Sequence, residues 1–154
     1  MLFGQNGRNS DPVTQLNGLR VLVVDNDADA RDLVTTVLTQ SNAEIKSAGS
    51  VDEALEILAG CEEWPEVLIS DVEMPEADGY ALIRRIRSLE AERGVARRLP
   101  AVALTAYARV EDRTRALAAG FQRYISKPLE PAELLAVVAS LTGRVRGAAE
   151  QNTE

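Results

Sequence analysis

Five short apolar runs alternate with five segments of helical periodicity, and this alternation constrains the chain more tightly than any other feature. The runs cover residues 19–24, 43–48, 67–70, 100–104 and 124–126, each of strand rather than helix length. Between them apolar residues recur three and four apart. Leu33, Val34, Val37 and Leu38 form one such set, Val51, Ala54, Leu55 and Leu58 a second, and Leu82, Ile83, Ile86 and Leu89 a third. Ser50-Val51-Asp52-Glu53 is a capping box at the head of the second set. An alanine-rich segment ending at Gly120 follows the fourth run, and Pro131 opens a last helix carrying Leu134, Leu135, Val138 and Leu141. Residues 43–48 alternate only weakly, as an edge strand does. The pattern predicts an α/β domain, a parallel five-stranded sheet covered by helices on both faces.

At 154 residues the chain is one domain with a sizeable core. Residues 1–18 and 144–154 show no periodicity and read as tails around a domain at 19–143. A formal net charge of −7 argues against a surface that binds nucleic acid by neutralising phosphates. Arg84, Arg85, Arg87, Arg93, Arg97 and Arg98 do form a local basic run, read as a solvated helix face and loop. The single cysteine, Cys61, excludes an internal disulfide and a cysteine-based zinc site, and reads as a small hydrophobe after a helix. No run approaches the ~20 apolar residues of a membrane helix, and the start lacks a signal peptide's layout. The expectation is a cytoplasmic domain with no direct membrane contact. Histidine is absent, which removes Ser-His-Asp triads, Cys-His pairs and histidine metal ligands together. Carboxylates, lysine, hydroxyls and metal remain to carry any chemistry.

Parallel sheets bind ligands beyond the carboxyl ends of their strands, so the residues that terminate each run are the candidates. The first run ends in Asp25-Asn26-Asp27, the third in Asp71, the fourth in Thr105 and the fifth in Lys127-Pro128. Neighbouring strands one, three, four and five would bring acids, a hydroxyl and an ammonium into one cleft. Asp71 stands out, because it ends a core strand inside an already acidic stretch that includes Glu66, Glu73, Glu76 and Asp78. Taken singly, each residue has an ordinary explanation: Asp27 suits a helix N-cap, and Asp71 or Lys127 a solvated turn. Taken together they require four coincidences at matching positions.

Two other chemistries fit part of the pattern. Asp25-x-Asp27-x-Asp29 has the opening spacing of an EF-hand loop, but Ala30 replaces the required glycine and Thr36 the bidentate glutamate. A strand followed by Asp-x-Asp also resembles haloacid-dehalogenase-like phosphatases. That alternative leaves Asp71 unexplained and lacks the final paired-acid motif, since only Glu130 and Glu133 follow Lys127.

VLVVDNDADAR, LISDVEMPEADGYAL, PAVALTAYA and AGFQRYISKPLEPAEL together resemble the receiver domain of two-component response regulators. The resemblance runs from Leu19 to Leu141. It implies a flavodoxin-like doubly wound sheet of order 2-1-3-4-5, with Asp71 phosphorylated by a histidine kinase or histidine phosphotransfer protein. It further implies Mg²⁺ or Mn²⁺ held by Asp25, the Asn26 position, Asp71 and the main-chain carbonyl of Glu73. Lys127 and Thr105 would contact the phosphoryl oxygens. Thr105 and Tyr124 would form a switch that alters the face of helix four, strand five and helix five, where a downstream protein or a second copy would bind. Asn26 departs from the usual second acid, which weakens the expected metal site and leaves open a pseudo-receiver, an interaction module of this fold that is never phosphorylated. The lead-in DPVTQLNGLRVLVVD and the loop EAERGVARRLP resemble receivers attached to hybrid sensor kinases, so the chain reads either as a stand-alone regulator or as part of a hybrid.

Overall fold

The computed structural model describes residues 16–74, 78–95, 97–106 and 109–144. Five β-α units run in sequence: β1 (Arg20–Val24), α1 (Ala28–Gln40), β2 (Glu44–Ala48), α2 (Val51–Gly60) and β3 (Val67–Asp71). They continue with α3 (Gly79–Arg93), β4 (Ala101–Thr105), α4 (Val110–Ala119), β5 (Arg123–Ser126) and α5 (Pro131–Leu141). The strands are all parallel, in the order β2-β1-β3-β4-β5, and Leu22 lies between Lys46 and Leu68 in register. The reversal of direction in the strand order lies at β1 and β3, where Asp25 and Asp71 emerge.

The unbroken apolar runs of β1, β3 and β4 follow from burial on both faces. Leu22, Val24, Leu68, Ala101 and Ala103 point toward α2, α3 and α4, where Leu58, Leu82, Ile83 and Ile86 complete one core layer. Val21, Val23, Ile69, Val102, Leu104 and Ile125 point the other way, onto Leu38 of α1 and Leu134 and Val138 of α5. Each fully buried aliphatic side chain contributes about 1.5–3 kcal/mol, so these two layers outweigh any polar contact at the strand ends. Edge strand β2 is mostly exposed, matching its weak alternation. Leu16, within the stretch that reads as a tail, is fully buried in the second layer and donates its N–H to Ser41 O at 2.9 Å.

Helix starts follow local side-chain chemistry. Asp27 Oδ1 accepts from the Asp29 and Ala30 amides, and Asp78 Oδ1 from Ala81. Ser50 Oγ accepts from the Glu53 amide, but Glu53 returns its carboxylate to Gly49 rather than to Ser50, one residue beyond a standard capping box. Three sequence expectations are corrected. Leu33 is 43% exposed, because α1 turns only Val34, Val37 and Leu38 inward. Cys61 is partly exposed, with Lys46 Nζ 3.6 Å from its sulfur. Arg87 leaves the solvated basic face and pairs with buried Glu90 at 3.0 Å, while its other nitrogen donates to Gly120 O at 2.6 Å. Glu90 also accepts from the Leu99 amide at 2.6 Å, so this pair fastens α3 to the starts of β4 and β5.

Gly79 lets α3 begin directly against the end of β3. A Cβ there would lie 2.9 Å from Val72 Cα and overlap the Asp71 carbonyl oxygen. Gly79→Ala is therefore expected to lower stability in urea unfolding by roughly 1–3 kcal/mol, the usual cost of overpacking against a wall that cannot move. The backbone amides of Asp71 and Val72 should be among the most shifted in its NMR spectrum.

Candidate functional site

At the carboxyl edge of the sheet two carboxylates face one ammonium. Asp25 follows β1 and is fully buried, and Asp71 ends β3 at 3% exposure. Lys127, just past β5, lies 3.3 Å from Asp25 Oδ2 and 3.5 Å from Asp71 Oδ2. The remaining oxygens take backbone donors: Asp25 Oδ1 accepts from the Asp27 amide at 2.9 Å, and Asp71 Oδ1 from the Glu73 amide at 3.1 Å. Lys127 is placed by its own N–H, which donates to Thr105 O at 2.8 Å, ahead of a cis Lys127-Pro128 bond. Residues more than forty positions apart in sequence are thus held in one cluster by the parallel register.

The electrostatics follow from burial. Asp71 is pushed up to about 6, chiefly by desolvation and further by the Asp25 charge. The Glu73 amide and the Lys127 ammonium oppose this rise, and the Glu73 carboxylate adds slightly to it. Burial pulls the Lys127 ammonium down, but Asp25 and Asp71 outweigh it and the net direction is up. Two carboxylates about 5 Å apart repel by about 3 kcal/mol at an effective dielectric of 20, and one ammonium leaves the trio a net charge of −1.

Thr105 ends β4, 1% exposed, and its hydroxyl donates to Glu73 Oε2 at 2.7 Å. The Ala106 amide reaches Glu73 Oε1 at 3.3 Å. Tyr124 is half-buried on β5, packed against the core layer beneath α4, with the Arg113 guanidinium 5.7 Å from its ring centre. Asn26 is exposed beside Asp25, while Asp27 is engaged in capping α1. Glu76 lies outside the described residues. The sequence pattern thus brings together Asp25, Asp71, Lys127 and Thr105. It does not reveal the Glu73 side chain, which reads from sequence only as a main-chain carbonyl. Nor does it reveal Arg115, stacked 4.2 Å over Tyr80 across a cleft of about 580 Å³ that Glu73, Asp78 and Asp112 also line.

Residues 21–139 match the family model of the response regulator receiver domain. The chain belongs to that family. A 14.6 kDa uncharacterised protein of Leptolyngbya boryana is 48% identical over 118 residues, spanning 77% of this chain and 86% of that protein. The phosphate regulon transcriptional regulatory protein PhoB of Escherichia coli is 33% identical over 126 residues, spanning 82% of this chain but 52% of PhoB. The receiver therefore corresponds to about half the length of relatives of the PhoB type. Among solved structures, the Vibrio cholerae chemotaxis protein CheY4 superposes with a TM-score of 0.72 at 26% identity, covering 80% of this chain and 98% of that one. The signal receiver domain of a signal transduction histidine kinase from Syntrophus aciditrophicus gives 0.70 at 27%, covering 84% and 93%. The flavodoxin-like order expected from sequence is the order observed, and with a receiver shown the phosphatase alternative falls away. Among the described residues no helix is long and apolar enough to cross a membrane.

The raised Asp71 value sets a pH dependence with chelator present. Folded receiver keeps the Asp71 proton up to about pH 6, whereas an unfolded aspartate releases it near its ordinary value of 3.8. Between those values the native state binds more protons, so stability falls as pH rises through the interval and the full cost is felt above it. Asp71→Asn should therefore be more stable than wild type at pH 7.5, by up to about 3 kcal/mol, with the gap closing toward pH 4. A variant no more stable at pH 7.5, or a gap independent of pH, would contradict this electrostatic assignment.

Proposed function

We propose that this receiver accepts a phosphoryl group on Asp71 from a phosphohistidine of a histidine kinase or histidine phosphotransfer protein. The observation that carries the reading is Lys127, held within 3.5 Å of both Asp25 and Asp71 at the switch point of the sheet. One Asp71 oxygen attacks phosphorus, the phosphorus–nitrogen bond of the donor breaks, and the bonding pair leaves with the imidazole. The product is an acyl phosphate. Lys127 neutralises charge on the transferring group, and the Thr105 hydroxyl and Ala106 amide lie on the β4 side as donors to its oxygens.

The donor set also suits a hard divalent cation. Mg²⁺ uses oxygen ligands, keeps several waters and is commonly bound by one or two carboxylates plus phosphate. Asp25 and Asp71 supply two buried carboxylates, and no cluster of three or more acidic, histidine or cysteine groups suited to a metal occurs among the described residues. Mg²⁺ or Mn²⁺ held by Asp25, Asp71 and the Glu73 carbonyl would offset the charge that one lysine leaves uncompensated. Asn26, an amide where a third carboxylate would add attraction, gives a weaker site without preventing transfer.

The downstream effect is assigned to the face of α4, β5 and α5. Helix α4 has no side-chain N-cap, buries only Ala116, and leaves Val110 72% and Leu117 54% exposed. Movement of Thr105 toward a phosphoryl group would open space for Tyr124, and α4 is the element least anchored against the change. A protein partner, or weakly a second copy of the chain, would read that face.

Intact-mass measurement after treatment with a small phosphoryl donor is the test. One phosphoryl group should be added in Mg²⁺, with at least about a tenfold drop in rate in excess chelator, since one ammonium alone leaves net negative charge at the reacting oxygens. Asp71→Asn should gain none. Absence of phosphorylation in wild type, with the fold intact, would instead establish a pseudo-receiver.

A further inference from the structure

The Glu73 side chain occupies a position that its role as a main-chain carbonyl does not require. Its two carboxylate oxygens accept from the Thr105 hydroxyl at 2.7 Å and from the Ala106 amide at 3.3 Å. These two donors sit at the end of β4, beside the end of β3, where Asp71 pairs with Leu104 in register. A phosphoryl group on Asp71 would need donors for its oxygens on this side, and both are already engaged by an anion carried on the same loop as the nucleophile. Glu73 is exposed, so no packing holds its side chain there. The hydrogen bonds from the Thr105 hydroxyl and the Ala106 amide do.

We propose that the Glu73 carboxylate is a resident anion that holds the Thr105 hydroxyl and Ala106 amide before phosphorylation, so that phosphoryl acceptance is an exchange of one anion for another. This rests on the phosphoacceptor reading of Asp71. Two like charges cannot share donors within hydrogen-bond range, because their repulsion exceeds what the shared bonds return. The arriving group displaces Glu73, and the cleft of about 580 Å³ beside it, lined by Arg115 as well as by Asp78 and Asp112, gives the side chain room to leave. Glu73 therefore opposes occupation of the site while keeping the Thr105 hydroxyl hydrogen-bonded in its absence. It is a positioning residue, which reacts with nothing and sets how readily an anion enters.

Glu73→Ala removes the carboxylate and Glu73→Gln keeps an acceptor without charge, and neither takes packing from the core. The probe is beryllofluoride with Mg²⁺, a non-covalent phosphoryl analogue, followed by NMR. Glu73→Ala should bind it at least about tenfold more tightly than wild type, the effect of removing one negative charge at close range. Glu73→Gln should fall at or near the same affinity. Without any added anion, the Ala106 amide should lose its acceptor in Glu73→Ala, shifting upfield and exchanging faster, while Glu73→Gln keeps it close to the wild-type position. Wild-type binding that neither substitution tightens, or an Ala106 amide unmoved in Glu73→Ala, overturns the proposal. Failure of every protein to bind the analogue is a different pattern and would overturn the phosphoacceptor reading beneath it.

Discussion

The contact between Lys127 and the two carboxylates of Asp25 and Asp71 is the constraint around which the carboxyl edge of the sheet is arranged. Without it, two buried acids would face each other, and the low polarity of the strand ends would force one to stay protonated. Lys127 comes from β5, Asp25 from β1 and Asp71 from β3, so the pairing is available only in a parallel sheet that aligns all these strand ends. The compensation is incomplete, because one ammonium meets two carboxylates. Burial chiefly, and the Asp25 charge in addition, raise the Asp71 carboxyl to about 6, and the residual negative charge is what would suit a hard divalent cation.

The rest of the molecule holds this arrangement still. Two aliphatic layers fix the strands from either side, and the Arg87–Glu90 pair fastens α3 to the far ends of β4 and β5. Gly79 brings α3 close enough to seat the Asp71 loop. By contrast, α4 has one buried residue and no side-chain cap. Rigidity lies where charge must be positioned, and the loosely held element lies on the face proposed to meet a partner. Glu73 joins the two regions, since it rides on the Asp71 loop and bonds to the residues that lead into α4.

Most of the fold was legible in the sequence, because strands buried on both faces appear as unbroken apolar runs and the helices carry three-four spacing. The apolar runs lie within a residue of the observed strand ends. The candidate site was legible where its residues fall at strand ends, as for Asp25, Asp71, Thr105 and Lys127, which the fold brings to one edge. What escaped depends on tertiary approach. Arg87 looks like any other arginine in a basic run until Glu90 and the Gly120 carbonyl are placed beside it. Leu33 fits the apolar spacing of α1, yet the helix rolls it outward. The Glu73 side chain could turn to solvent or inward, and only the position of Thr105 decides.

Localising the acyl phosphate by chemical trapping tests the central claim most directly. Borohydride cleaves an aspartyl phosphate to an alcohol and leaves free carboxylates untouched, so protein treated with a phosphoryl donor and Mg²⁺ can be reduced, digested and sequenced by mass spectrometry. The expected result is homoserine at residue 71 and at no other acid. Reduction at Asp25 or Asp27, or at no residue while the protein gains phosphate, would contradict the assignment of Asp71 as the phosphoacceptor.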